Sequence, residues 1–466
     1  MSNDTDQTRV EEENTAVSES IEWTGTGTEE DPYVVDTLEN LNGIREHKDA
    51  WFVLTADIDA SDTREWNDGG GFTPVGPEAD PFTGTIDGDG HEIIDLHIDV
   101  DDEHTGLIAY SDGGLVENLE LSGVDVAGGD ITGGVVGTNL GRIEGVTVRG
   151  SVESTVQAGM IAGANAEDGQ ITASTCEGTI DGQEGVGGAV GYNTEGAVVG
   201  DVETDVTIET RGKHVGGVVG LSGEATVRDA TASGKVRGER QAGGVVGTCT
   251  DTNVENCSSD ATVIAGEVIA GGIVGYHKGD EQVTDADFTG YVTSDDLAGG
   301  IVGEAIGDVT GCTVDARVLC DEHTGGCVGK LLGAEVRDCS VRGSVEGRES
   351  IGGIAGGTSS YEDESSILRD CTAHASVDGH SDVGGLVGFH RTRLESCEAT
   401  GDVTGGSNVG GAIGNGGLSC ETVDVAVTGG DVGGLQDSVG GVSGRLHGGV
   451  IEDATVTVTV TGQNHV

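Results

Sequence analysis

The chain has 466 residues, 86 of them glycine, only 4 proline and 3% aromatic, which excludes a conventional globular core built around large rings. Its 83 acidic and 22 basic residues give a net charge of −61, so the clustered lysines and arginines that grip nucleic-acid phosphates are missing and a nucleic-acid partner is not expected. Self-repulsion on this scale loosens a fold in dilute buffer, whereas molar salt shortens the Debye length to about 3 Å and screens it. The composition therefore points to a high-salt proteome, with an acidic calcium-binding protein or the ligand of a basic partner as the alternative.

Residues 1–20, MSNDTDQTRVEEENTAVSES, are polar and acidic and read as a disordered leader; no ordinary secretory signal is legible in them. No run of about 18 apolar residues occurs, so membrane insertion is not expected. Residues 21–81 form a distinct segment that holds every proline and all 3 tryptophans, Trp23, Trp51 and Trp66. Asp36-Thr37-Leu38-Glu39 resembles a capping box, and Leu38, Leu41 and Ile44 follow at helical spacing. WFVLTADID, from Trp51 to Asp59, alternates as a strand. An array of repeats needs an atypical end unit to cover its apolar cross-section, and this segment suits that role. FTGTIDGDGHEIIDLHID, from Phe82, then reads as the first regular coils.

From Thr132 a six-residue glycine block recurs twelve times at intervals of 26 to 32 residues, with TGLIAY at Thr105 as a degenerate earlier copy. VGGVVG at Val215 is typical. A period near 28 with slippage belongs to a solenoid. The block reads as a strand, followed by an apolar-x-x-apolar strand such as Val254 to Cys257 and by a third run such as KVRGER. The fold class expected is therefore all-β: a parallel β-helix of about 13 coils over residues 82–466, with three short strands per coil and an N-terminal cap containing a short helix.

The block glycines resemble a phosphate loop only superficially, since no helix follows any copy; stacked glycine is expected to serve close approach or positive φ. Of the 10 cysteines, Cys176, Cys257, Cys312, Cys339, Cys371 and Cys397 are assigned to one slot of the second strand, where other copies carry Leu119, Val146, Ala230, Ala286 and Ala454. That mixture marks a buried apolar slot holding free thiols, with poor geometry for disulfides between neighbours. Cys312, Cys320, His323 and Cys327 invite a zinc reading, but Cys312 and Cys327 sit at core positions, so no metal site is expected.

His104, His214 and His323 precede the block at what reads as an exposed polar position. His277 and His390 follow it, where Asn139, Asn165 and Asn193 occur, and read as turn residues suited to left-handed backbone. Asp57, Asp59, Asp87, Asp89, Asp95 and Asp99 could be the acids of a sugar-cleaving site, yet acids are so abundant here that chance pairs are expected. No catalytic residue, cofactor or metal is assigned, and the binding residues are left open.

The block followed by a turn and a strand ending in Asn-Cys or Asp-Cys resembles the GLUG repeat. VGGVVG at Val215, AGGIVG at Ala270, VGGLVG at Val383, VENC at Val254 and RDC at Arg337 carry the likeness, which extends from Thr105 to the C-terminus. The resemblance implies a surface or binding scaffold, since GLUG repeats occur in secreted adhesins and in non-catalytic parts of immunoglobulin A peptidases. The zinc motif His-Glu-x-x-His of those peptidases is missing from this sequence.

The leading expectation is a non-enzymatic, rod-like structural or attachment protein of a halophile, such as a virion spike or surface adhesin. A polysaccharide-cleaving β-helix enzyme and an intracellular protein-binding scaffold are the alternatives. The expected partners are a host-cell surface, another protein or a glycan; lateral pairing of coil faces would allow a homo-oligomer. Location is left open between virion, cell exterior and cytoplasm. Function is sought where the repeat breaks: the segment before residue 105, the 32-residue coil after Ile351, and VGGLQDSVGG near the end.

Overall fold

A computed structural model describes residues 21–462 apart from positions 363 and 437, so the leader expected at 1–20 lies outside the described residues. It shows an all-β parallel solenoid of about 13 turns, with all strand pairing between coils parallel. No helix in the described residues is long and apolar enough to cross a membrane.

The solenoid begins inside the aromatic segment. Tyr33–Val35 pairs with Trp51–Leu54, which pairs with Thr85–Asp87 and then Leu115–Glu117, so one ladder runs through residue 82 without interruption. The helix Leu38–Gly43 lies between the first two of these strands. Thr37 rather than Asp36 is its N-cap, accepting from the Asn40 amide at 3.1 Å, one residue later than the box legible in sequence. Leu41 and Ile44 are fully buried, and Trp23, Tyr33, His47 and Phe52 stack beside them with centroid separations of 4.9 to 5.9 Å.

Within the regular coils the glycine block proves to be a corner rather than one strand. In the copy at Ala242, the strand Gln241–Gly243 ends, the chain bends at Gly244 and Val245, and Val246–Thr250 begins a second strand in another sheet. That second strand and its counterparts make a separate 13-stranded sheet, called here the block sheet. Close approach, not positive φ, explains the glycines. A Cβ on Gly243 would collide with the Val246 carbonyl oxygen of its own coil, and one on Gly244 with the Gly272 carbonyl oxygen of the next.

Left-handed backbone occurs at a different corner. The residue before the cysteine slot has φ between 51° and 71° on every coil from Asn118 to Asp453, for example 52° at Asp229 and Asn256 and 55° at Asp338. Asn, Asp and Gly tolerate that region best, which accounts for the Asn-Cys and Asp-Cys pairs read from the sequence.

Candidate functional site

Two columns of side chains point inward and consume most of the residues that would otherwise suggest chemistry. The first is the cysteine slot. Cys257, Cys312, Cys339, Cys371 and Cys397 occupy it, each buried and each donating from Sγ to the carbonyl two residues earlier at 3.1 to 3.4 Å. Cys176 does not belong there: it pairs with Val148 and Thr204, and Ser174 takes the slot, its hydroxyl donating to the Thr172 carbonyl at 2.8 Å. The sequence pattern missed this because Ile171-x-x-Ser174 ends in a polar residue. Serine and cysteine both answer the same carbonyl, a role that goes beyond small apolar filler.

All 10 cysteines are free and buried. Contact with Cys339 and burial push the Cys312, Cys327 and Cys371 thiols well above the ordinary cysteine range, and burial takes Cys257 up to about 12. Cys320 lies apart, accepting from the Ser294 hydroxyl at 3.5 Å. Among the described residues, no group of three or more histidine, cysteine or acidic side chains has the arrangement of a metal centre.

The second inward column follows the block. Asn139, Asn165 and Asn193 are fully buried and linked coil to coil, Nδ2 of Asn139 donating to Oδ1 of Asn165 at 2.8 Å and Nδ2 of Asn165 to Oδ1 of Asn193 at 2.9 Å. Cys249, His277, Thr358 and His390 continue it. These are interior strand positions, not left-handed turns, which corrects the sequence-based expectation for His277 and His390. Burial lowers both imidazoles to about 4, so they stand neutral at pH 7. Left-handed backbone occurs before some of the blocks, as at His214 with φ 54°, but not at His104 or His323. The histidines that precede the block are half-buried rather than exposed: Nδ1 of His104 meets the Thr138 hydroxyl at 2.9 Å and Nδ1 of His214 the Thr248 hydroxyl at 2.8 Å.

The early acids serve turns. Asp57 accepts from His91 at 3.0 Å and from the Glu92 amide at 3.2 Å, Asp59 from the Ser61 amide at 3.0 Å, and Asp87 from the Asp89 amide and Asn118 Nδ2. Asp95 occupies a left-handed position and Asp99 an exposed strand end. The hydrogen bonds hold the Asp57 and Asp59 carboxyls below the usual carboxylate range, the opposite of what a general acid needs.

The outward column of the block sheet is different. It runs through Tyr110, Thr138, Ala164, Tyr192, Leu221, Thr248, Tyr276, Glu304, Lys330, Gly357, Phe389, Asn415 and Arg445, one residue per coil. Four of the 11 Tyr and Phe residues in the chain lie on it. At its C-terminal third two adjoining recesses open beside the sheet, bordered by Ser359 and, in one of them, Ser360 of the 32-residue coil. One, of 660 Å³, is lined by Phe389, Arg391, Asn415, Leu418 and His447; the other, of 280 Å³, by His323, Lys330, Gly357, Phe389 and Arg391. The Arg391 guanidinium sits 4.7 Å from the Phe389 ring centroid.

Sequence reading located the coil but not these residues. The available signal was the residue directly after the block, aromatic in VGY at Tyr192 and Tyr276 and in VGF at Phe389, which only the register reveals as outward-facing. A further recess of 550 Å³ beside the cap contains Arg45 and Lys48, but their charge is spent internally. Arg45 donates to Asn42 and to the Thr73 carbonyl, and Lys48 pairs with Asp80 at 2.7 Å.

Known proteins resemble parts of this chain. A family model described as the GLUG motif matches residues 212–237. Halomucin of Haloquadratum walsbyi is 39% identical over 179 residues, 36% of this chain and 2% of that protein. A protein of Evansella cellulosilytica named "Putative Gly-rich membrane protein" is 36% identical over 132 residues, 27% of this chain and 15% of its own length. The chain thus spans only a small part of either relative. A crystal structure of a "putative immunoglobulin A1 protease" from Bacteroides ovatus aligns over 81% of this chain and 77% of its own at 16% identity, with a TM-score of 0.22 that carries no argument. The matched coil, Gly212 to Arg237, contains the left-handed corner and the glycine block that recur along the solenoid, so the GLUG-like stretch is one turn of a parallel β-helix whose other turns share its features.

Proposed function

We propose that this chain is a non-catalytic structural rod of a salt-adapted organism, displayed at the surface of a cell or particle and used for attachment. The observation that carries the reading is the fate of the reactive side chains: all 10 thiols and the imidazoles of His277 and His390 are buried, and early carboxylates close turns. Some cations are tied across coils, as where Arg369 bridges Glu335 and Glu395 at 3.3 Å and Arg393 reaches Glu421 at 3.2 Å. Similarity to a stretch of halomucin and to a stretch of a protein named for the membrane supports placement at a surface. In this reading residues 21–81 act as the cap, the coils from residue 82 supply length, and a virion spike or surface adhesin is the finer assignment.

Immunogold labelling of intact cells and of particles shed into the medium tests it. Label on the exterior is expected. Signal confined to lysed cells sinks the surface reading, and chain cleavage of an acidic or neutral polysaccharide by the purified protein sinks the non-catalytic one.

A further inference from the structure

Lys330, Arg391 and Arg445 gather on the outward side of the block sheet. In a molecule of net charge −61, they stand on one face within a few coils of one another, and none has an acidic partner within 4.0 Å among the described residues. Arg317, Arg369 and Arg393, on other faces, are each held by carboxylates from adjacent coils. The groove that these free cations border contains Phe389, with the planar fork of Arg391 laid against its ring.

Two polar atoms in its lining are buried without any hydrogen-bond partner, Nδ1 of His323 and Oδ1 of Asn415. Asn415 spends its Nδ2 on Asp382 at 3.1 Å, so the free oxygen can only accept. Between Lys330 and Phe389 the column carries Gly357. A Cβ there would meet nothing closer than 3.8 Å, an ordinary contact with the His323 ring, so the fold does not require this glycine.

We propose that this groove binds an anionic polysaccharide, a uronic-acid chain lying along the rod axis. The coils repeat every 4.8 Å or so, so cations one to a few coils apart present a line of charge that matches a polymer with regularly spaced carboxylates better than a compact anion. The exposed fork of Arg391 takes a carboxylate bidentately, the Asn415 oxygen accepts a sugar hydroxyl, and the hydroxyls of Ser359, Ser360 and Ser419 complete a lining suited to a polyol. Glu304 stands in register with Lys330 one coil toward the N-terminus. The inference gives the attachment reading a ligand class, but its test needs only purified protein and is independent of where the chain resides.

Calorimetric titration of the full chain in molar salt with oligogalacturonate is the experiment, with a neutral glucan oligomer and polyglutamate as parallel arms. Oligogalacturonate is expected to bind, and the other two at least tenfold more weakly. Arg391→Ala and Lys330→Ala are each expected to weaken binding roughly tenfold. Gly357→Leu places a side chain in the groove and is expected to abolish binding with the circular dichroism spectrum unchanged, whereas Arg211→Ala, on another face, leaves binding intact. Equal binding of polyglutamate or glucan, undiminished binding by the groove variants, or no binding of oligogalacturonate overturns the proposal.

Discussion

The first and the last described coils differ in how their apolar side chains are covered. At the N-terminal end the first strand of the block sheet, Ile108–Ser111, has its edge covered: Val75 and Phe82 bridge to it in parallel, with Val75 donating to the Leu107 carbonyl at 3.0 Å and Phe82 to that of Tyr110 at 2.9 Å. The helix and aromatic cluster close the interior behind. Toward the C-terminal end large apolar side chains face water, with Leu418 80% exposed, Leu435 69% and Val450 49%, and the block sheet finishes on Ser443–Leu446. In a solenoid each coil leans only on its neighbours, so coils whose apolar side chains are covered hold more firmly than coils that expose them.

The largest perturbation of that asymmetry is loss of salt. Dilution from molar to tens of millimolar lengthens the Debye length from about 3 Å to more than 10 Å and exposes every coil to self-repulsion. Hydrogen exchange should accelerate first in residues 418–462 and last in residues 33–120. Uniform exchange along the rod, or none gained, would remove the gradient. Alkylation of the buried thiols is expected to follow the same order, with Cys420 reacting before Cys176.

Phe52→Ala removes a fully buried ring from the first coils and is expected to cost about 3–5 kcal/mol in a denaturant melt, while Val456→Ala in the last coils should change stability by less than about 0.5 kcal/mol. Comparable losses would mean that both sets of coils are equally packed.

Acid provides the next test. His277 and His390 are buried with pKa about 4 against an ordinary 6.5, so the folded state disfavours their charged form. Their stabilising effect is complete above pH 6.5 and is lost as pH falls through 4, by roughly 3 kcal/mol for each. Neutralising surface carboxylates acts in the opposite direction over the same range, so the readout is the difference between the chain and His390→Asn, whose new side chain has precedent in the same column. The variant should retain stability down to pH 4 that the parent loses. Identical acid profiles would contradict the burial of His390.

Smaller effects are expected from single links. Asn165→Ala strands the amide of Asn139 and the oxygen of Asn193 inside the coil and should cost about 2 kcal/mol. Gly433→Ala, in the last coils, puts a methyl 3.4 Å from the Thr461 hydroxyl and should be close to neutral. A cost equal to that of Gly244→Ala, where the Gly272 carbonyl is in the way, would show that the last coils pack as tightly as the middle ones.

Much of this architecture was readable in one dimension because a repeat reports its own geometry. Spacing predicted the coil count, and the Cys, Ala, Val and Leu mixture in the slot marked an interior column. Where one strand passes into the next was harder to read. The block looks continuous and apolar, and only the collision of a Cβ at Gly244 with the neighbouring coil shows that it turns a corner. Cys176 was displaced because polar Ser174 interrupts the apolar signal, and His277 and His390 read as turn residues because asparagine favours both left-handed turns and buried amide ladders.

The sequence by itself determined the solenoid and its period, since those follow from self-similarity. The tertiary structure alone decided which of two adjacent positions faces inward, because a strand reverses its side chains at every residue and a corner resets the count. It alone also brought Lys330, Phe389, Asn415 and Arg445 into one line: residues about a coil apart in sequence become neighbours only when coils stack in parallel register.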